Sequence, residues 1–414
     1  MAGRMRKKIK LSKAVLVLSL GAMLPNLGMA ALSVSYDQMS YQELPTTVLY
    51  PFSYQGLVSI RENNFSNSQS YLPKNLPDYW DVVVVGRDIL EQECKPNGQL
   101  EVLDYENLPH KDLLTIGAIQ QCGVGFSVQG MTLNYALVHK YGVPPTHWVD
   151  LFDFNRFPGK RALPKQPKYI LEAALLADGV QPSYLYPLLA TKEGQDRAFN
   201  KLDLIYDEIL WWSDVNNLKL WLEQGLVSMS IAPDGAMLSK DGVDTIGVSR
   251  QQVMYEMKYY AMLKSSQQKD LAYAFISYAT QPDQQLKLAN QQYYGPTIKQ
   301  AWRLVSPNTA EYITNNPKNL QGGILLDYDF YAEHGATLEK RFNEWLIEKE
   351  APVKRVSMAD GKRSIVKKLT DGAENLDISV VSEEIDFIGP RLELFDQNFI
   401  GPQLIDFIDN IERK

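Results

Sequence analysis

The sequence is poor in the residues that build catalytic and metal centres. It contains two cysteines and four histidines, and the histidines are far apart along the chain: His110, His139, His147 and His334. A Gly-x-Ser-x-Gly elbow and a His-Glu-x-x-His pair, which mark many hydrolases and zinc peptidases, are both missing. The sequence therefore predicts no catalytic residue, no metal site and no cofactor, and it favours a binding protein over an enzyme.

Long apolar runs are scarce, and a short one near the N-terminus has a specific meaning. The run Ala14 to Leu24 is too short for a membrane-spanning helix, which needs about 20 apolar residues. It follows a basic stretch and precedes Gly28-Met29-Ala30, which is the order found in secretory signal peptides. The basic residues are Arg4, Arg6, Lys7, Lys8, Lys10 and Lys13. We therefore expect a cleaved signal peptide over residues 1–30, with an uncleaved membrane anchor as the alternative.

Excess positive charge is also missing. The chain of 414 residues has a net charge of −7, and loss of six basic and no acidic residues with the signal peptide would change it to −13. Proteins that bind nucleic acids need clustered Lys and Arg for the phosphates, so the charge disfavours a nucleic-acid partner and we expect none. The hydrophobic content of 45% is that of an ordinary globular protein, and the length suggests about two or three domains.

The two cysteines leave two interpretations open. In an oxidising compartment Cys94 and Cys122 could form a disulfide across a loop of about 29 residues. Two buried free thiols are equally compatible with the sequence, because the spacing does not show whether the Cα atoms reach bridging distance.

Apolar segments alternate between strand-like and helix-like patterns, which predicts an α/β fold. Val82 to Val85 are four consecutive valines, typical of a strand that is buried on both faces. Arg87 follows at the carboxyl end of that strand, where open α/β sheets border their ligand crevice. Arg87 is therefore a candidate for binding an anionic group, and an ordinary surface arginine is the alternative.

Other segments receive predictions of the same kind. We expect strands over Thr47 to Ser59, Phe126 to Tyr135, Val227 to Ile231 and Tyr255 to Leu263, and an amphipathic helix over Gln195 to Trp212. In the first of these strands, alternation would place Phe52 and Tyr54 on one face.

Several short motifs occur in a characteristic order between residues 80 and 346. They are Trp80-Asp-Val-Val, Asp150-Leu-Phe-Asp with Arg156-Phe-Pro-Gly-Lys, Trp212-Ser-Asp, Gly225 with Asp234-Gly, Ala272-Tyr-Ala-Phe-Ile, Tyr294-Gly-Pro-Thr, and Tyr328-Asp through Arg341-Phe-Asn-Glu-Trp345. Each motif alone is weak, but their order resembles the periplasmic spermidine/putrescine-binding proteins of ABC importers.

The resemblance implies a type II periplasmic binding protein with two lobes joined by a hinge. Lobe 1 would combine residues 31–126 and 260–350, and lobe 2 would contain residues 127–259. Such a protein closes around a small polar solute and delivers it to an inner-membrane ABC permease. We expect a monomer in the periplasm that does not span the membrane after signal removal.

Residues 351–414 extend beyond the resemblance. Ile405, Phe407, Ile408 and Ile411 predict a final amphipathic helix that docks on the body of the protein. The alternative is a partner-binding tail, in a ligand-sensing or envelope interaction protein that has lost transport.

The resemblance also suggests a ligand, because this chain departs from the polyamine-binding pattern of carboxylates and aromatic rings. Lys165, Lys168 and Tyr169 stand where polyamine binders place acidic residues, and Glu256 and Lys258 stand where they place an aromatic residue and an aspartate. We therefore expect a ligand with an anionic group, alone or together with an amine. Solvent-exposed lysines in a slightly shifted alignment are the alternative.

The predicted ligand-binding residues have separate roles. Arg87, Lys165 and Lys258 would bind the anion, because guanidinium and ammonium groups make charge-assisted hydrogen bonds. Asp214 and Asp234 would hold a cationic end. The full predicted set is Phe52, Tyr54, Arg87, Gln129, Lys165, Tyr169, Asp214, Asp234, Glu256, Lys258 and Tyr294.

Overall fold

The computed structural model of the protein describes most of the chain between residues 31 and 350. The described residues are 31–37, 41, 44–56, 58–64, 72–74, 76–238 and 244–350. The expected signal peptide and the extension 351–414 lie outside them, so both stay predictions. Contacts divide the chain into a unit that ends at Leu346 and a second unit, whose described residues 347–350 are the last turn of a helix.

The described residues form eleven strands that belong to a single sheet. The strands are β1 (Ala31–Tyr36), β2 (Ser59–Asn64), β3 (Val82–Gly86), β4 (Ile119–Gln120), β5 (Gly123–Ala136), β6 (Arg161–Pro164), β7 (Ile209–Trp212), β8 (Met229–Pro233), β9 (Ile246–Met262), β10 (Gly295–Pro296) and β11 (Ile324–Leu325).

Helices surround this sheet. They are α1 (Tyr50–Gly56), α2 (Arg87–Glu93), α3 (Ile170–Ala177), α4 (Leu185–Leu189), α5 (Lys192–Asp203), α6 (Val215–Glu223), α7 (Asp234–Met237), α8 (Lys269–Ala279), α9 (Pro282–Gln292), α10 (Lys299–Leu304), α11 (Pro307–Tyr312), α12 (Pro317–Leu320) and α13 (Tyr328–Glu350). Among the described helices, none is long and apolar enough to cross a bilayer.

The two longest strands, β5 and β9, form the centre of the sheet. They pair antiparallel from Gly123 opposite Ala261 to Ala136 opposite Ile246. Near one end of this pair, β3 joins β9 and continues in parallel pairing to β1 and β2. Near the other end, β8 joins β5 and continues in parallel pairing to β6 and β7. The architecture confirms the predicted α/β class, and β5 and β9 connect its two halves.

The apolar core is divided in the same way. Leu32, Val84 and Phe275 belong to a buried cluster at the β3 end of the long strands. Leu163 and Leu175 belong to a different cluster at the β8 end. Separate cores on either side of a strand pair are what a hinged protein requires, and the lobe boundaries themselves stay a prediction.

Helix α13 packs at the β8 end of the sheet, although residues 260–350 were assigned to lobe 1. Its residues Phe342 and Trp345 join the cluster that contains Leu163 and Leu175. The ring of Trp345 lies 5.5 Å from that of Phe199 on α5, and its Nε1 donates to Asp203 Oδ1 at 2.9 Å. Aromatic burial against α5 thus fixes the position of this helix.

The prediction of a strand over Thr47 to Ser59 is wrong. One turn of π-helix (Pro45–Leu49) leads into α1, and extended structure begins only at β2. Phe52 packs against the rings of Phe275 and Tyr278, whereas Tyr54 is 82% exposed. A spacing of two residues puts these side chains on different sides of a helix, so only the tertiary packing reveals which one is buried.

The predicted helix over Gln195 to Trp212 is correct only in its first part. Helix α5 ends at Asp203, and Ile209 to Trp212 form β7 instead. β7 pairs in parallel with β6, and Trp212 Nε1 donates to the carbonyl of Ile231 at 3.1 Å. Pairing with a neighbouring strand overrides the helical pattern here. The other predicted strands are confirmed within β3, β5, β8 and β9, and Val82 to Val85 are fully buried.

Cys94 and Cys122 form a disulfide, with 5.7 Å between their Cα atoms. The bond joins the residue after α2 to the residue before β5. The alternative of two free thiols is thereby excluded.

Removal of this disulfide should destabilise the protein. Closure of a loop of this length reduces the conformational entropy of the unfolded chain, which corresponds to roughly 3–4 kcal/mol. We expect the double variant Cys94→Ser/Cys122→Ser to lose about that much free energy of unfolding in urea titrations. Wild-type protein treated with a reductant should show the same loss, and a double variant as stable as the oxidised protein would contradict the prediction.

Candidate functional site

Adjacent strands place polar residues on one face near the middle of the sheet. In the register of β3, β9 and β5, Gly86 lies opposite Lys258, which lies opposite Ser127. Two residues further along, Glu256 lies opposite Gln129. Residues directly opposite each other, and residues two apart on a strand, project to the same face. The pairing therefore gathers Ser127, Gln129, Glu256 and Lys258 on one surface.

Glu256 is the acceptor at the centre of this surface. Its Oε1 atom accepts hydrogen bonds from the hydroxyl of Tyr169 and from Lys258 Nζ, the latter at 2.9 Å. Its Oε2 atom lies 3.4 Å from Lys168 Nζ. Burial by itself would raise the pKa of Glu256, but the two lysines outweigh it and lower that pKa to about 2. Glu256 is therefore a buried, ionised carboxylate.

Lys168 is a buried cation with partners on several sides. Its Nζ atom donates to Asp88 Oδ2 at 3.0 Å and lies 5.0 Å from the centre of the Tyr331 ring. Burial by itself would lower the pKa of Lys168, but the carboxylates of Asp88 and Glu256 raise it above its ordinary value. The ammonium group thus stays charged, although only 5% of the residue is exposed.

The backbone at Tyr169 has an unusual conformation that directs two side chains to the site. Its φ of 74° lies in the left-handed region, which is unfavourable for a bulky residue. Such strain persists only where the surroundings enforce it, and it is frequent at functional sites. Here Lys168 and Tyr169, which precede α3, both reach Glu256.

Arg87 lies at the edge of the cluster, at the first residue of α2. Its guanidinium lies over the ring of Tyr328 at 3.9 Å, which is a cation–π geometry. Its Nε atom is 3.2 Å from Glu91 Oε1, one helical turn further on. About 30% of the Arg87 side chain is exposed, and the residue lines a cavity beside the cluster.

A cavity of about 150 Å³ adjoins these groups. Cavities that hold drug-sized molecules measure roughly 300–1,000 Å³, so this one fits only a solute of a few heavy atoms. It is lined by Arg87, Asp88, Gly117, Lys168, Glu256, Met257, Tyr259, Leu325, Leu326, Tyr328 and Tyr331. The lining combines charged groups with rings and apolar side chains, which suits a small charged molecule with a methylene chain.

A buried carboxyl group supports one of the lining rings from behind. Glu172 on α3 accepts hydrogen bonds from the hydroxyls of Tyr331 and Tyr186 through Oε1. Burial raises the pKa of Glu172. The contact holds α13 against α3 and keeps the Tyr331 ring next to Lys168.

Four residues of the predicted ligand-binding set meet in this region. They are Arg87, Tyr169, Glu256 and Lys258. Gln129 lies beside them on the sheet and donates to Ser127 Oγ at 3.2 Å. Their role in ligand binding stays a prediction. Because they lie close together, that prediction now refers to one defined region of the protein.

The other predicted residues lie elsewhere. Phe52 belongs to the buried cluster that contains Leu32, Val84 and Phe275. Tyr54 lies on the opposite, exposed side of α1. Asp214 caps α6 by accepting from the Asn216 amide at 2.8 Å. Lys165 is exposed and does not line the cavity. Tyr294 packs edge-on to Tyr41, with 6.0 Å between the ring centres.

Asp234 is buried at a separate position. It accepts from Thr314 Oγ1 at 2.7 Å and from the Gly235 amide at 2.8 Å. Burial raises the pKa of Asp234, and the nearby guanidinium of Arg250 opposes this shift. Asp234 is not among the residues that line the cavity beside Arg87 and Glu256, and its role in holding a cationic end stays a prediction.

The predicted set omitted four residues of the cluster: Asp88, Lys168, Tyr328 and Tyr331. Asp88 and Lys168 are chain neighbours of Arg87 and Tyr169, so a search for buried charge pairs next to these two could have found them. Tyr328 and Tyr331 carry no such signal, because their position depends on how α13 packs.

Comparisons with known proteins identify relatives of this chain. Residues 70–319 match the family model described as bacterial extracellular solute-binding protein. The chain is 38% identical over 268 residues to the gamma-aminobutyric acid-binding protein of Pseudomonas aeruginosa, and the match covers 64% of this chain and 75% of that relative.

Solved structures show the same fold. An ABC transporter substrate-binding protein from Bradyrhizobium japonicum matches with a TM-score of 0.65 and 26% identity, covering 77% of this chain and 99% of that one. A structure described as a GABA receptor matches with a TM-score of 0.64 and 25% identity, covering 77% and 97% of the two chains. These matches confirm the type II binding-protein fold that the sequence predicted.

A side chain at Gly86 should disturb the charge cluster. A Cβ atom at this position would lie 2.5 Å from Asp88 Oδ1 and 2.8 Å from Glu256 Oε2, which is closer than such contacts occur. We expect Gly86→Ala to displace these carboxylates and to lower the free energy of unfolding by about 1–3 kcal/mol in urea titrations. Gly142→Ala, where a Cβ meets nothing within 4 Å, is the matched control. Equal stability of the two variants would contradict this account.

The low pKa of Glu256 predicts how the free energy of unfolding changes at acidic pH. A carboxyl group whose pKa is lower in the folded state stabilises the protein above its unfolded pKa, and this contribution is lost as the pH falls toward about 2. Glu256→Gln should therefore be less stable than wild type at neutral pH and should lose less stability between about pH 4.5 and 2.5. The exposed residue Glu344 offers the control variant Glu344→Gln. If wild type and Glu256→Gln lost the same free energy of unfolding between these pH values, the low pKa of Glu256 would be refuted.

Proposed function

This chain belongs to the bacterial extracellular solute-binding proteins, and from this premise we propose that it captures a small ω-amino acid for an inner-membrane ABC permease. Proteins of this family are the substrate-binding components of ABC transporters and not enzymes. We infer a periplasmic location from the same membership. The ligand proposed first is γ-aminobutyric acid, which the relative from Pseudomonas aeruginosa is named for binding.

The charge balance of the cluster is the observation that carries this proposal. Lys168 and Lys258 face Asp88 and Glu256, so two buried cations are matched by two carboxylates. Arg87 is matched in turn by Glu91. A polyamine would add several uncompensated positive charges to this balanced site, whereas a zwitterion adds none. The balance therefore favours an amino acid over spermidine or putrescine.

The two ends of such a ligand have matching groups at the cavity. Arg87 lines the cavity and would bind the carboxylate. Arg is well suited to this because its planar fork makes paired hydrogen bonds. The carboxylates of Asp88 and Glu256 attract the ammonium end of the ligand. The ammonium group of Lys168 competes with it for these two carboxylates. The methylene chain between the ends would contact Leu326 and the ring of Tyr328, both of which line the cavity.

Calorimetry with the purified protein tests this function. We expect saturable binding of γ-aminobutyric acid and much weaker binding of putrescine, which has an ammonium group in place of the carboxylate. Arg87→Gln should weaken the amino acid by about tenfold to a hundredfold, because a charge-assisted hydrogen bond contributes about 1.5–3 kcal/mol. Lys340→Ala, an exposed cation on α13, is the control and should bind as wild type does. Tighter binding of putrescine, or unchanged affinity of Arg87→Gln, would contradict the proposal.

A further inference from the structure

The environment of the Lys168 ammonium group is that of a bound amine. It lies 3.0 Å from Asp88 Oδ2, 3.4 Å from Glu256 Oε2 and 5.0 Å from the centre of the Tyr331 ring. Glu172 lies four residues after Lys168, on α3, and accepts a hydrogen bond from the Tyr331 hydroxyl, which holds the ring in place. Two carboxylates and an aromatic face are the groups that proteins use to recognise primary ammonium ions. We call this set of Asp88, Glu256 and Tyr331 the ammonium cage.

A purely structural role does not account for this lysine. Lysine is almost never fully buried without a partner, and a buried ion pair gives little net stability compared with apolar residues of similar size. The cage also adjoins the cavity, whose lining includes all three of its residues and Lys168 itself. The side chain thus occupies a place that a solute in the cavity could otherwise reach.

We infer that Lys168 is a specificity-determining residue, because its ammonium group fills the ammonium cage and competes with amines that enter the cavity. An amine without a second anchor then cannot displace the tethered lysine, whose effective concentration in the cage is high. An amine that also carries a carboxylate gains a second contact at Arg87 and can compete. Lys168 in this way makes the binding of an amine depend on the presence of a carboxylate.

The inference rests on the proposed function for its biological meaning, but its physical test does not involve an amino acid. Lys168→Ala removes three side-chain carbon atoms and the ammonium group, and n-propylammonium supplies three carbon atoms and an ammonium group in the same order. We expect n-propylammonium to bind Lys168→Ala at least about tenfold more tightly than wild type, measured by calorimetry and as a concentration-dependent rise in melting temperature. n-Propanol, which has the same shape without the charge, should have no such effect on the variant.

Matched variants make the outcome decisive. Lys340→Ala should respond to n-propylammonium as wild type does. A folded Lys168→Ala variant that does not distinguish n-propylammonium from n-propanol would overturn the inference. Loss of Lys168 removes the ion-pair partner of Asp88, whereas Glu256 keeps its contact with Lys258. If this change prevents Lys168→Ala from folding, Lys168→Ala/Asp88→Asn keeps Glu256 as the single carboxylate of the cage, and it must still bind n-propylammonium more tightly than wild type.

The result is separable from the test of function. Suppose that wild-type protein does not bind γ-aminobutyric acid but Lys168→Ala binds n-propylammonium more tightly than wild type does. The proposed ligand is then rejected, and the role of Lys168 in the ammonium cage is retained. Absence of that gain in a protein that binds γ-aminobutyric acid would reject the role of Lys168 alone.

Discussion

The ion pair between Lys168 and Asp88 constrains much of this structure. Charges taken out of water are unfavourable unless they are paired within hydrogen-bonding distance, and removing one partner of such a pair is strongly destabilising. Asp88 belongs to α2 at the β3 end of the sheet, whereas Lys168 precedes α3 at the β8 end. The requirement for pairing therefore fixes the distance between two parts of the fold that have separate apolar cores, and it places the cavity between them.

The long strands supply the frame on which this pairing is possible. β5 and β9 pass through both halves of the sheet, and their register puts Glu256 and Lys258 next to Gly86 at the end of β3. Gly86 has no side chain, so the carboxylates of Asp88 and Glu256 can lie above it. One missing Cβ atom thus allows two anions and the ammonium group of Lys168 to meet in a space where each has little contact with solvent.

Much of the fold could be predicted from the sequence, and the site only in part. Four valines predicted β3, because burial on both faces leaves a local signature, and the motif order predicted the binding-protein fold. Arg87 was predicted because it follows the valine strand, and Glu256 was predicted from the family resemblance; both line the cavity. Phe52 and Tyr54 were misplaced because an alternating pattern of aromatic residues occurs in short helices as well as in strands. The position of α13 had no local signature at all.

The sequence by itself determined the class of fold, the family resemblance and the types of charged group available for binding. Each of these depends on local composition, periodicity or the order of short motifs. Only the tertiary structure decided which charges meet: Lys168 lies against Asp88 and Glu256, whereas Lys165, three residues earlier, is exposed. The physical reason is that burial and pairing depend on distances between residues about 80 positions apart, which no local pattern specifies.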